Sequence, residues 1–189
     1  MAEMILLAVI IAVIAVIALF IMVIGVFNSL VALKNAVKNA WAQIDTQLKR
    51  RYDLIPNLIE CVKGYMEHEK STYEMVVKAR NAAMAITNDP KAQSQAENAL
   101  SGTLKSLFAL SENYPELKAN QNFMSLQEEL ASTENKIAYA RTAYNDAVMM
   151  YSNKKEQFPS NIIAAMFNFQ SYDYFEADAQ EKEAIKVSF

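Results

Sequence analysis

The chain has 189 residues, a formal net charge of −3 and a single cysteine, Cys61. The slightly negative balance gives nucleic acid no electrostatic reason to bind, and one thiol excludes an intrachain disulfide framework. With only 3 glycines and 4 prolines, the sequence favours long helices over a sheet-rich fold, which needs many more turn residues.

Residues 4–27 carry no charge, and about 20 apolar residues suffice to cross the bilayer core as a helix. A cleaved signal peptide is the competing reading. No Lys or Arg precedes the run, the run exceeds the usual ~7–15 residue apolar region, and no clear A-x-A site follows. The expectation is therefore an uncleaved anchor over residues 1–28. Its β-branched residues, Val9, Ile10, Ile11, Val13 and Ile14 among them, would look strand-like in water. In lipid a lone strand cannot satisfy its own backbone, so the segment has to be helical. Ala8, Ala12, Ala15 and Ala18 fall within one broad face, with Gly25 near its edge. Small residues there let a second transmembrane helix approach closely. Only Glu3 and the chain amine precede the run, while Lys34, Lys38, Lys49, Arg50 and Arg51 follow it. The positive-inside rule puts the amino terminus outside and the rest of the chain in the cytoplasm.

From Leu30 the apolar positions fall three and four apart: Leu33, Val37, Trp41, Ile44, Leu48, Ile55, Leu58, Ile59, Val62, Met66, Tyr73, Val76 and Val77. That is one stripe of an amphipathic helix. With no breaker after the anchor, the spacing predicts one helix from the membrane to about Ile86. Pro56 lacks an N–H and its ring meets the Tyr52 carbonyl, so a kink is expected near residues 51–55.

Asp89 and Pro90 then open a second helix as N-cap and first helical residue. Its apolar face reads Ala92, Ala96, Ala99, Leu100, Leu104, Leu107 and Leu110, and it stops near Pro115. A third helix carries Leu126, Leu130, Thr133, Ile137, Ala140, Tyr144, Ala147 and Tyr151, a heptad seam that implies left-handed supercoiled packing. Pro159 ends the long elements, and Ser160 opens a short helix through Ile162, Ile163, Met166 and Phe167. The organisation is an anchor (1–28), an all-α bundle (29–170) and a mixed acidic tail (171–189) on which Tyr172, Tyr174 and Phe175 are the docking candidates.

Two blocks of residues carry a resemblance. Trp41-Ala42-Gln43-Ile44-Asp45, then Leu48-Lys49-Arg50-Arg51-Tyr52-Asp53-Leu54-Ile55-Pro56-Asn57-Leu58 and Val62-Lys63-Gly64-Tyr65, form the first. Tyr114-Pro115-Glu116-Leu117-Lys118-Ala119-Asn120-Gln121-Asn122-Phe123, with Leu126 to Leu130 and Thr133 to Ala138, form the second, and Arg141, Tyr144, Asn145, Tyr174 and Phe175 follow in order. Together they resemble the LemA family over nearly the whole chain. One departure is Ile185, where such tails often place a proline. The resemblance implies an antiparallel, left-handed four-helix arrangement behind a single N-terminal anchor in a bacterial inner or plasma membrane. It implies little biochemistry. Relatives among magnetosome-membrane proteins hint at membrane organisation, and association with membrane zinc metalloproteases of the heat-shock type hints at an adaptor role.

Among the charged residues, Asp45, Arg51 and Asp53 flank the stripe of the first helix, and Glu134 and Arg141 flank the seam of the third. These five are expected to form an interhelical polar network that fixes bundle register. Lys49 lies roughly 33 Å beyond the anchor along a helix, several Debye lengths from the surface, so Lys34 and Lys38 are the better headgroup contacts. His68 and Cys61 sit one heptad apart, but two ligands do not complete a zinc site. One His and one Cys leave nucleophilic catalysis almost no material, and the scattered glycines make no phosphate loop. No catalytic, cofactor or metal site and no small-molecule substrate is expected. Trp41 reads as a core anchor, and Met149 and Met150 as an adaptable surface or as core filling. The functional expectation is a non-enzymatic, self-assembling membrane scaffold. The alternatives are a metalloprotease adaptor and, distantly, an enzyme with an unrecognised carboxylate site.

Overall fold

The computed structural model of the chain describes residues 1–87 and 89–175. Six α-helices follow in order: α1 (Ala2–Lys63), α2 (Lys70–Met84), α3 (Pro90–Ser111), α4 (Pro115–Lys118), α5 (Gln121–Glu156) and α6 (Ser160–Met166). Among the described residues there is no strand, and the chain is all-α.

The expected single helix as far as Ile86 is corrected. α1 stops at Lys63, and a turn through Gly64 and Tyr65 with a 3-10 segment (Glu67–Glu69) precedes α2. Gly64 weakens the helix at that point, and Met66, with φ −120°, buries its side chain while the backbone turns. The apolar spacing read as one stripe is therefore two elements, because Met66 faces the core from a turn rather than from a helix. α2 packs against α3. The second helix begins as expected: Asp89 accepts from the Lys91 and Ala92 amides at 3.0 and 2.9 Å, and Pro90 fills the first position, where its missing N–H costs nothing.

Contacts divide the chain into two compact units. The first comprises Met1–Asn39 and Asp146–Tyr172. Here the apolar run of α1 is exposed as far as Ile24, after which Leu30 and Val37 are buried. Within this unit Val148, Tyr151, Ile163, Ala164 and Phe169 are buried as well. Phe27 meets the rings of Phe167 and Phe169 edge-on, with centroids 4.8 and 5.7 Å away. α6 ends in a tight cap: the Phe169 amide donates to the Ala164 carbonyl at 2.9 Å and the Asn168 amide to Ala165 at 3.2 Å. Asn168 takes φ 53°, the left-handed conformation that this pair of bonds requires.

The second unit takes Ala40–Asn145 and the segment from Asp173. Its core holds Ile44, Leu48, Ile55, Leu58 and Val62 of α1, Val76 and Ala83 of α2, Leu100, Leu104 and Leu107 of α3, and Phe123, Leu130, Thr133, Ile137 and Tyr144 of α5. Asn120 caps α5 by accepting from the Asn122 and Phe123 amides. Phe175 is buried and clipped by Asn145, which donates to its carbonyl and accepts from its amide, both at 2.9 Å. Of the mixed acidic tail expected over residues 171–189, residues 176–189 lie outside the described residues.

Two register details differ from the expected faces. On α5 the buried residue after Tyr144 is Val148, not Ala147. On α3 the face is centred on Gln93, Ser94, Glu97, Leu100, Leu104 and Leu107, with Ala99 exposed and Ala92 and Ala96 only partly covered. Alanine made that stripe look apolar on the wrong side.

Candidate functional site

The centre of the second unit is polar. Arg51 on α1 is 2 % exposed, and Glu97 on α3 is 0 % exposed. Arg51 Nη1 donates to Glu97 Oε2 at 3.2 Å and pairs with Glu134 Oε2 on α5 at 2.9 Å. Arg51 Nη2 donates to Ser101 Oγ at 2.8 Å, and Ser101 in turn donates to Glu134 Oε1 at 3.1 Å. The other Glu97 oxygen accepts from the Tyr52 hydroxyl and from Gln93 Nε2, the latter at 3.0 Å. Three helices are thus joined through one guanidinium, and both oxygens of the Glu97 carboxylate are engaged.

Burial, and then the adjacent Glu97 carboxylate, push the Tyr52 phenol far above the ordinary tyrosine value of 10. The proton therefore stays on Tyr52, which remains a donor. Glu134 is 43 % exposed along its side chain and faces a cleft of about 220 Å³ shared with Leu104, Lys105, Phe108, Gln127 and Leu130. On another side, Tyr52 and Gln93 border a cleft of about 470 Å³ with Asp45, Lys49 and Thr87.

Of the five residues expected in the network, the structure brings Arg51 and Glu134 together. Asp45 and Asp53 are exposed, and among the described residues neither pairs with Arg51. Arg141 lies elsewhere, its guanidinium 4.6 Å from the centroid of the Phe175 ring. α1 stays helical through Pro56. The Tyr52 carbonyl that Pro56 cannot bond accepts instead from Arg80 Nε of α2 at 2.7 Å. Ala8, Ala12, Ala15, Ala18 and Gly25 are exposed on α1, and Gly25 has open space where a Cβ would stand. Lys34 Nζ lies 5.8 Å over the Phe169 ring, and Lys38 is exposed. Trp41 packs edge-on against Tyr144 at 5.4 Å. Met149 and Met150 are exposed. Burial pushes the Cys61 thiol up, and His68 is exposed on the 3-10 turn. Among the described residues no cluster of three metal-ligating side chains occurs.

Sequence reasoning missed Glu97, Gln93, Tyr52 and Ser101. A signal was present: extending the Leu100, Leu104, Leu107 spacing backwards by three and by seven lands on Glu97 and Gln93. A charged residue such as Glu97 on a core stripe is the mark of a buried pair.

A LemA-family sequence profile matches residues 40–189. The chain belongs to the LemA family. Protein LemA of Metamycoplasma hominis is similar to it, at 23% identity over 176 residues covering 89% of this chain and 80% of that protein. Arg51, Tyr52, Gln93, Glu97, Ser101 and Glu134 all fall inside the LemA match, whereas the apolar run precedes it.

Proposed function

We propose that this LemA-family chain is a non-catalytic scaffold of a bacterial inner or plasma membrane, single-pass, with its amino terminus outside and its bundle cytoplasmic. The observation that carries the reading is α1. Among the described residues it is the one helix long and apolar enough to cross a membrane, and its most apolar stretch is wholly unburied. The same unbroken element goes on to supply Ile44, Leu48, Ile55 and Leu58 to a folded core. An apolar run left bare by the rest of its own chain needs lipid or another helix around it. The Arg51–Glu97 centre supports a structural rather than a reactive role, because its donors and acceptors satisfy one another. Assembly uses the Ala8, Ala12, Ala15 and Ala18 face, and Lys34 and Lys38 meet the headgroups.

Native mass spectrometry of the full-length protein, extracted from its own membranes in mild detergent, tests this. A homo-oligomer that dissociates when Ala8, Ala12 and Ala15 are replaced by leucine is the expected result. A fixed stoichiometry with a second membrane protein, a metalloprotease above all, would replace the stand-alone scaffold with an adaptor. A monomer would end the assembly claim.

A further inference from the structure

The chain has a second apolar segment that its own fold leaves open. Residues 157–172 contain no charged side chain, and α6 lies within them. One side of this segment is committed to the protein, through buried Ile163, Ala164 and Phe169. The other side presents Phe158 at 80 %, Met166 at 72 %, and Ile162 and Phe167 at about half their full exposure. Within α6 that open side carries Asn161 alone as a polar residue, where a solvent-facing helix would carry several. A contiguous open apolar patch marks a surface that meets a partner or a membrane.

Position selects the occupant. Residues 4–27 as a helix are roughly 36 Å long against a bilayer core of about 30 Å, which puts Phe27 at the edge of the hydrocarbon. Phe167 and Phe169 are in ring contact with Phe27, so α6 lies at that same level. Beside it stand Lys34, whose ammonium lies over Phe169, and Lys155, which shares a cleft with Glu156, Asn161 and Ala164. That order of apolar rings, then cations, matches the acyl chains, then the anionic headgroups, of a membrane interface.

We infer that α6 and its flanks form a second membrane contact, in which Phe158, Ile162, Met166 and Phe167 dip into the cytoplasm-side interface of the bilayer that α1 crosses. The inference rests on the anchor reading of α1. It goes beyond that reading by giving the end of α5 and α6 a lipid partner of their own.

Depth-resolved fluorescence quenching tests it on the full-length protein in vesicles of phosphatidylcholine and phosphatidylglycerol. Single reporters Phe158→Trp, Met166→Trp and, in the middle of the span, Val16→Trp are placed in a Trp41→Phe background. If that background lowers the melting temperature, Trp41 is kept and each reporter is read as a difference from wild type. The expected result is loss of Phe158→Trp and Met166→Trp emission with lipids brominated near the headgroup, and loss of Val16→Trp emission with lipids brominated near the chain ends. Quenching at Val16→Trp alone, with the other two open to aqueous iodide, overturns the inference and leaves the anchor standing. Reporters shielded from both bromine and iodide mean that protein, such as a second copy, covers α6, which also overturns it. No quenching at any position removes the anchor and the α6 contact together.

Discussion

At Arg51 one guanidinium faces two carboxylates, and the two are not equivalent. Glu134 reaches solvent, whereas Glu97 is sealed and depends on Arg51, Tyr52 and Gln93 for all of its solvation. Removing one partner of a buried pair leaves an uncompensated charge, at a cost of about 3–5 kcal/mol, against a total stability of about 5–15 kcal/mol for a domain. Arg51→Met is therefore expected to lower the denaturation midpoint steeply, and Arg51→Met/Glu97→Leu to recover part of the loss. Equal midpoints for wild type and Arg51→Met in urea titrations followed by circular dichroism would contradict this account. Tyr52 gives a pH test. Its phenol is raised in the folded chain, so above the unfolded tyrosine value of about 10 the unfolded state releases a proton that the folded state keeps. Stability is then lost as pH rises beyond that value. Tyr52→Phe is expected to be less stable at neutral pH by about 1.5–3 kcal/mol, the worth of a hydrogen bond to a charged group. The gap to wild type should narrow in melting curves taken at increasingly alkaline pH.

Among the elements, α1 shows how a helix carries a proline through its interior. Pro56 removes a donor, and Arg80 replaces it from α2. Arg80→Ala orphans the Tyr52 carbonyl and is expected to cost about 1–3 kcal/mol. In a Pro56→Ala background residue 56 regains its N–H, and the same Arg80→Ala change should cost measurably less. A double-mutant cycle of thermal unfolding reads that coupling, and strict additivity would disprove it. α6 offers a second test. At Asn168, glycine should be tolerated, while Asn168→Val forces a β-branched residue into φ 53° and is expected to cost about 1–2 kcal/mol. The same elements show what the sequence could and could not tell. Leu130, Thr133, Ile137, Ala140 and Tyr144 were legible because a heptad seam is a pattern of apolar residues at fixed spacing. The pairing of Arg51 with Glu97 was hidden, because the register between two residues 46 apart in sequence on different helices is set by packing and not by local period. The end of α1 at Lys63 was hidden because Met66 keeps the apolar rhythm across a turn.

For the molecule as a whole, the all-α class, the helix cap at Asp89 and the apolar run before the LemA match follow from local chemistry, and each is found where that chemistry puts it. Deleting residues 1–28 is expected to move the protein from the membrane pellet to the soluble fraction on ultracentrifugation. Retention in the pellet would mean that another part of the chain holds it there, with α6 the first place to look.

Asn145 holds residue 175 by its peptide group, matching amide to amide, and such a clasp is blind to the side chain it grips. Identity is checked separately, by Trp41 and Arg141 around the Phe175 ring. Spelling and position are thus proofread by different parts of the protein. Changing Tyr174, which is exposed, alters neither check. Inserting one residue beside it satisfies the clasp with the wrong letter and leaves the aromatic socket empty, so for this segment length is guarded more closely than composition.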